Sequence, residues 1–334
     1  MKLDLPATRG ARLIVALVVT LALAAGLATT GARAQANYPD RPVRVILPFG
    51  PGGVADVTAR LVAEALSRKL GQNFVIENQP GAGGIAAARA ALTGPADGYT
   101  LTLLTNGTAI SVPLFSHLPF DPLKLFIPIS TIGSFQCFFM VDASAPWRTL
   151  GDFLKAAREK PGTINVGTVT VGSTENLTAE LFKSVAAVDV VLVPFRTSPD
   201  VVVALLRNDI QMDIDFYAAL KPTLDGGKGR ILAASGPQRA PELPDVATAQ
   251  EAGVANFDVT AWNGLYAPAG TPDAVIEKLN KALHDVLADP DLKQRALALG
   301  IDTKASTPAE LDARMRADIA KWGRVIAQAG IPKQ

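Results

Sequence analysis

The chain has 334 residues, with 32 lysines and arginines against 31 aspartates and glutamates, two histidines and one cysteine. A net charge of +1 over that length builds no basic patch for nucleic acid or an anionic membrane surface. His117 and His284 are far apart without ligand-like spacing, and Cys137 is alone, so zinc, a histidine-based triad and an internal disulfide are not expected.

Residues 1–34 read as a secretory leader. Lys2, Arg9 and Arg12 precede an apolar run from Leu13 to Leu27, and Ala32-Arg33-Ala34 offers small residues for cleavage. The run is shorter than the roughly 20 residues of a spanning helix. The leader carries Arg33 as well, against Asp4, a net of +3, so the mature chain has a net charge of −2. Its roughly 300 residues exceed what one hydrophobic core usually organises, and two lobes are expected.

The mature chain opens with the apolar run Val43–Leu47, which is cut by Pro48 and followed by Gly50-Pro51-Gly52-Gly53 and an amphipathic helix up to Gly71. Strand, glycine turn and helix in that order let the backbone approach a ligand, and the first free N–H groups of the helix, with its dipole, favour an anion. Phe74–Asn78 is a second strand. Gly81-Ala82-Gly83-Gly84-Ile85-Ala86 after it fits the G-x-G-x-x-G/A dinucleotide pattern. Gln79-Pro80 separates that turn from its strand, it falls on the second βα unit, and an exported protein meets little nicotinamide, so no cofactor is expected. A third strand, Tyr99–Leu104, ends at Thr105-Asn106-Gly107-Thr108, small polar residues at the edge of a sheet where ligands bind, or else caps of the next element. Pro113–Pro128 reads as an irregular excursion, then two strands, Phe126–Ile132 and Gln136–Val141, with Cys137 in the core.

The βα rhythm restarts at Thr149. A helix over Thr149–Glu159 and a strand at Ile164–Val166 lead into a polar loop, Gly167–Ser173, which feeds a helix over Thr174–Ala186. Gly172, Ser173 and Thr174 repeat the glycine-then-helix device, and Ser173 reads first as a helix cap. Further strands are Val190–Val193, closed by Pro194-Phe195-Arg196-Thr197, then Gln211–Asp215 and Arg230–Ala234, with a helix at Ser198–Leu206. Asp213 and Asp215 alternate with Met212 and Ile214, so both face one side, which is expected to point away from the core. Phe257–Pro268 is a long extended stretch. The last helices are expected to start at Thr271-Pro272 and at the capping box Thr307-Pro308-Ala309-Glu310, the latter burying Leu311, Met315, Ile319, Trp322 and Ile326.

Ordered stretches from Tyr38 to Ile331 resemble the Bug family, extracytoplasmic substrate receptors of tripartite tricarboxylate transporters and a branch of the periplasmic solute-binding proteins. They include Tyr38–Pro42, Pro48–Gly53 with Asp56, Glu77–Gly84, Pro95–Tyr99, Leu118–Pro122, Leu243–Val246 and Tyr266–Pro272. The resemblance implies an α/β, two-lobed periplasmic-binding-protein-like fold of type II. Each lobe would be a mainly parallel sheet flanked by helices, with ligand in the interlobe cleft. Lobe 1 would comprise residues 35–138 and 262–334, and lobe 2 residues 139–261. It further implies a monomer, without cofactor or catalysis, that captures a small carboxylate for the membrane subunits of a tripartite transporter. A sensor-kinase input module and an exported acid–base enzyme are the alternatives. Phe49, Gly52, Gly53 and Asp56 correspond to the family's ligand-binding first loop. Gly172, Ser173 and Asn176 match a motif commonly G-S-x-x-H-L, with Asn176 replacing the histidine. Arg196 and Thr197 stand where the family has P-Y-K-G, and Asp215 matches an acid after an M-F pair. With Thr105, Asn106 and Thr174 these are the candidate ligand-binding residues.

Overall fold

The computed structural model describes residues 38–334, so the inferred leader lies outside the described residues. In the first part of the chain the elements are β1 (Val43–Leu47), α1 (Val54–Leu70), β2 (Phe74–Asn78), α2 (Ile85–Leu92), β3 (Thr100–Thr105), α3 (Asn106–Leu114), α4 (Pro122–Leu125) and β4 (Phe126–Asp142). There follow α5 (Leu150–Glu159), β5 (Asn165–Thr168), α6 (Thr174–Val185), β6 (Val191–Pro194), α7 (Ser198–Leu206), β7 (Met212–Phe216), α8 (Tyr217–Asp225) and β8 (Gly229–Ala234). The chain ends through β9 (Thr260–Pro268), α9 (Asp273–Leu287), α10 (Pro290–Leu297) and α11 (Pro308–Gln328).

The strands run β2-β1-β3-β9-β4-β7-β5-β6, with β8 also paired to β4. The outer strands are parallel, β1 to β2 and β3 in one wing and β5 to β6 and β7 in the other, as βα crossovers require. The strands that join the wings are antiparallel. β4 pairs with β9 from Phe126 to Gln136, then with β7 and β8 from Cys137 onward, so one continuous strand serves both sheets. The expected break between Ile132 and Gln136 is therefore absent. Gly133-Ser134 interrupts the apolar run in sequence, but two register irregularities against β9 carry the strand through it. A side chain at Gly133 would meet the methyl carbons of Ile301 and Thr58 at 2.9 Å, which accounts for glycine there.

Thr105 caps a helix, one of its two readings: its hydroxyl accepts from Gly107 N–H, and Thr108 returns a capping-box bond to the Thr105 backbone. Three further expectations are corrected. Pro113 lies in the last turn of that helix, and α4 adds a short helical turn inside the stretch read as irregular. Thr271 caps nothing; its hydroxyl donates back to the Pro268 carbonyl, and α9 begins after Pro272. Asp213 and Asp215 are 0% and 1% exposed, because β7 is interior to its sheet and α6, α7 and α8 pack against it. Alternation marks a half-exposed strand only when one face is free, and an α/β sheet is covered on both.

Met212, Ile214, Phe139, Phe153 and Phe182 join Trp262 and Trp322 in the largest apolar cluster. The opposite face of β4 and β7 carries a second, around Phe138, Met140, Leu205 and Leu220. Cys137 is free and buried. α11 opens with the expected capping box between Thr307 and Glu310. Replacing Thr307 by Ala removes that cap and should cost about 1 kcal/mol of unfolding free energy in denaturant titrations, with little change in the far-UV spectrum.

Candidate ligand-binding site

The carboxyl ends of β1, β3, β5 and β7 open onto one cavity of about 900 Å³, at the upper end of the ~300–1,000 Å³ usual for small-molecule sites. Three loops wall it from the first sheet: Pro48–Ala55, Gly81–Gly84 and Thr105–Thr108. From the second sheet come Val169–Glu175, Ser198-Pro199 and Asp215-Phe216, and β9 lays Ala261, Trp262 and Asn263 along the floor.

Of the residues singled out in the sequence, Phe49, Gly52, Gly53, Thr105, Asn106, Gly172, Ser173, Thr174 and Asp215 line this cavity. Asp56, Asn176, Arg196 and Thr197 lie off its wall. Asp56 is 2% exposed; it accepts from Gly52 N–H and Arg60 Nε, each at 2.9 Å, and from Asn78 Nδ2 at 2.9 Å. Asn78 also donates to the Phe49 carbonyl, so both ends of the first loop are tied to one network. Burial pushes the Asp56 carboxyl up, but those hydrogen bonds outweigh it and hold the group below the usual carboxylate range. Asn176 plays the matching part in the second loop: its Oδ1 accepts from Gly172 N–H at 3.1 Å, and its Nδ2 donates to Thr168 Oγ1 at 3.3 Å. Gly52 and Gly172 have φ of 88° and 82°. Each loop thus turns on a left-handed glycine whose N–H is held by the third residue of the following helix. Thr197 caps α7, its hydroxyl exchanging hydrogen bonds with Asp200, and Arg196 is exposed beside it.

The loops differ where a ligand would meet them. At the start of α1, Gly53 brings no side chain to the free N–H groups, and at α2 Gly84 likewise brings none. No atom lies within 4 Å of where a side chain on Gly50, Gly52 or Gly53 would begin, so the backbone faces open space. The start of α6 is capped instead by Ser173, which accepts from Asn176 N–H, and carries Glu175 in its first turn. A direct bond links the two sides of the cavity where Asn106 Nδ2 donates to Thr174 Oγ1 at 2.9 Å. Asn106 Oδ1 in turn accepts from Trp322 Nε1 at 2.9 Å, which ties α3 to α11.

Sequence reasoning missed several wall residues. The Gly81–Gly84 turn, set aside as a false dinucleotide motif, supplies backbone to the first-sheet side, with Gly83 and Gly84 at φ of 65° and 69°. Asn263 lies on the floor, 1% exposed, its amide nitrogen without a protein partner. A lone asparagine inside the apolar run Ala261–Leu265 was the available signal, since a buried polar group without a partner is costly. Phe115, Phe135, Leu114 and Val171 add apolar surface to the wall.

Asp215 and Glu175 lie in the second-sheet wall, with Asp213 buried on the same face of β7 as Asp215. Burial pushes Asp215 up to about 6, although Ser198 and the Phe216 N–H support its carboxylate. Burial, then repulsion from Asp215, pushes Glu175 up to about 7. Burial and repulsion from both raise Asp213 well above the carboxylate range. Among the described residues no group of three or more histidine, cysteine or acidic side chains is placed to hold a metal ion.

Sheet topology and cavity together define a two-lobed α/β solute receptor. Residues 58–331 match the tripartite tricarboxylate transporter family receptor profile, and the chain belongs to that family. The Rhodopseudomonas palustris protein Rpa4515, solved with adipate, is 32% identical with a TM-score of 0.79, over 89% of this chain and all of that one. MatC from Rhodopseudomonas palustris, solved with malate, is 32% identical with a TM-score of 0.73, over 86% of this chain and all of that one. Protein BugT of Bordetella pertussis is 29% identical over 91% of this chain and 95% of its own, in line with the Bug resemblance. The family is one of receptors, and the chain is a receptor rather than an enzyme. No helix among the described residues is long and apolar enough to cross a membrane.

Two outcomes follow from this geometry. Asp56→Ala leaves Gly52 N–H, Asn78 and Arg60 without their acceptor and should cost roughly 1–3 kcal/mol in denaturant unfolding, with weaker ligand binding because the first loop loses its shape. The acidic group makes the second effect one of pH. Its carboxyls have higher proton affinity folded than unfolded, so their contribution is fully present below the ordinary value of about 4 and is lost as pH rises through about 6 to 7. The melting temperature should therefore fall between about pH 5 and pH 8, and Asp213→Asn should flatten that fall; differential scanning calorimetry across the range reads both.

Proposed function

We propose that the protein is exported through cleavage of its leader, works in the periplasm as a monomer, and captures a small carboxylate for the membrane subunits of a tripartite transporter. Its lobes are residues 35–138 with 262–334, and residues 139–261, and they close on the solute. The observation that carries this reading is the pair of helix starts without a side-chain cap, at Gly53 and Gly84, facing a cavity with no lysine or arginine among the described residues of its wall. Backbone N–H groups and helix dipoles hold an anion without a counter-charge, which suits a receptor that must also release it. One helix terminus contributes about 0.3–1 kcal/mol, rising to about 2 when partly buried, whereas micromolar binding needs about 8 kcal/mol. The remainder comes from Asn263, from the hydroxyls of Thr105, Thr108 and Thr174, and from the apolar part of the wall as water leaves it. The carboxylates seen with Rpa4515 and MatC support this class of solute.

A thermal-shift screen over mono-, di- and tricarboxylates, aromatic acids and amino acids tests it. A solute at 100 times its dissociation constant should stabilise the protein by about 2.7 kcal/mol, and shifts confined to uncharged solutes would count against the carboxylate reading. Cells lacking this receptor but keeping the transporter should fail to accumulate the radiolabelled solute.

A further inference from the structure

The two sides of the cavity are electrically opposite. On the first-sheet side the helix starts at Gly53 and Gly84 have no side-chain cap, although the turn before Gly84 already gives the Gly84 and Ile85 N–H groups the carbonyls of Gly81 and Ala82. On the second-sheet side several backbone donors are already taken: Ser173 accepts from Asn176 N–H, Asn176 holds Gly172 N–H, and Asp215 Oδ1 accepts from Phe216 N–H at 2.7 Å. Besides hydroxyls such as that of Thr174, that side presents carboxyl acceptors. Asp215 and Glu175 both line the cavity, Asp215 is 1% exposed, and its Oδ2 has no hydrogen-bond partner. Asp213, fully buried on the same face of β7, has neither carboxyl oxygen satisfied. Among the described residues none of the three takes part in an ion pair; the only charges acting on them are each other's, from β7 and α6, and α7 contributes only the Ser198 hydroxyl. Cys137 on β4 is the remaining ionisable neighbour, and burial keeps its thiol protonated.

Unfilled acceptors that far from water are costly unless something donates to them. A second carboxylate brought to this side would meet like charge in a poorly solvated pocket. Resting on the carboxylate-receptor reading, we propose that the Asp215–Glu175 side is a cation subsite, and that the solute is amphoteric, with its carboxylate at the Gly53 and Gly84 helix starts and an ammonium group at the acidic side. The apolar lining residues Phe115, Phe135, Leu114 and Val171 suit a solute with an alkyl or aryl body. An arriving ammonium favours the ionised carboxyls, so binding releases protons near neutral pH.

Calorimetric titration of the whole mature protein with matched solutes tests this. Each set keeps one frame and varies the far end: 6-aminohexanoate, hexanoate and adipate; 4-aminobutanoate, butanoate and succinate; 4-(aminomethyl)benzoate, 4-methylbenzoate and terephthalate. In the frame that fits, the amino acid should bind at least roughly tenfold tighter than its two analogues at pH 7.5, tenfold being about 1.4 kcal/mol. Its affinity should rise from about pH 5.5 to about pH 8 while that of the dicarboxylate falls, and its binding heat should vary with the ionisation enthalpy of the buffer. Asp215→Asn and Glu175→Gln should shrink the preference. The comparison on the natural protein decides the matter even if those variants fold poorly. A dicarboxylate or simple acid that binds as tightly as its amino analogue throughout the pH range overturns the cation subsite and leaves the carboxylate receptor standing. Failure of all nine solutes to bind overturns both.

Discussion

The site depends on β4 being one strand. Its first half pairs with β9 and its second half with β7 and β8, so the two sheets are not separate bodies joined by a linker but continuations of one hydrogen-bonded ladder. The changeover falls between Gln136 and Cys137. Gln136 Oε1 accepts from Gly236 N–H there, Cys137 N–H donates to Ser235 Oγ, and Ser235 Oγ donates on to the Val259 carbonyl. These bonds fix the crossover, and the carboxyl ends of the parallel strands on both sides then open onto the same cavity. A polar rung at this point lets the ladder pass from one apolar core to the next without leaving a backbone group unpaired.

Each wing then builds its half of the site with the same local device, a left-handed glycine whose N–H is held from the third residue of the next helix. In the first loop that residue is a carboxylate, tied to Arg60 and Asn78, and the helix start is left open. In the second it is Asn176, a neutral amide, and the start is closed by Ser173. Similar backbone turns with a different provision of donors underlie the proposal that one half of the cavity receives negative charge and the other positive charge or a neutral donor. Asn176 and Asp213, where the resemblance implies other residues, both belong to that second half, as does the acidic group.

Much of the fold was legible in local chemistry. The Thr149 and Thr307 helix starts, the β1–glycine–α1 unit and the strand at Gly229–Ala234 follow from capping residues, glycine turns and apolar runs that act over a few residues. Local chemistry decides nothing where one signal has two meanings. Thr105–Thr108 reads equally as a polar loop and as the capped start of a helix, and Gly133-Ser134 as a break and as an irregular rung. Only the partner strand β9 and the packing of α11 on α3 decide between them.

The sequence by itself determined the family, the βα order and the two glycine loops, because each is carried by contiguous residues and short-range backbone preference. The tertiary structure alone decided which side chains turn inward. Burial of Asp213 and Asp215 needs α7 and α8 laid over β7, Asn263 reaches the floor through its pairing with Thr105 across β9, and Asp56 is withdrawn into a network with Asn78 on a neighbouring strand. Those are contacts between residues distant in the chain, and the polarity of the cavity rests on them.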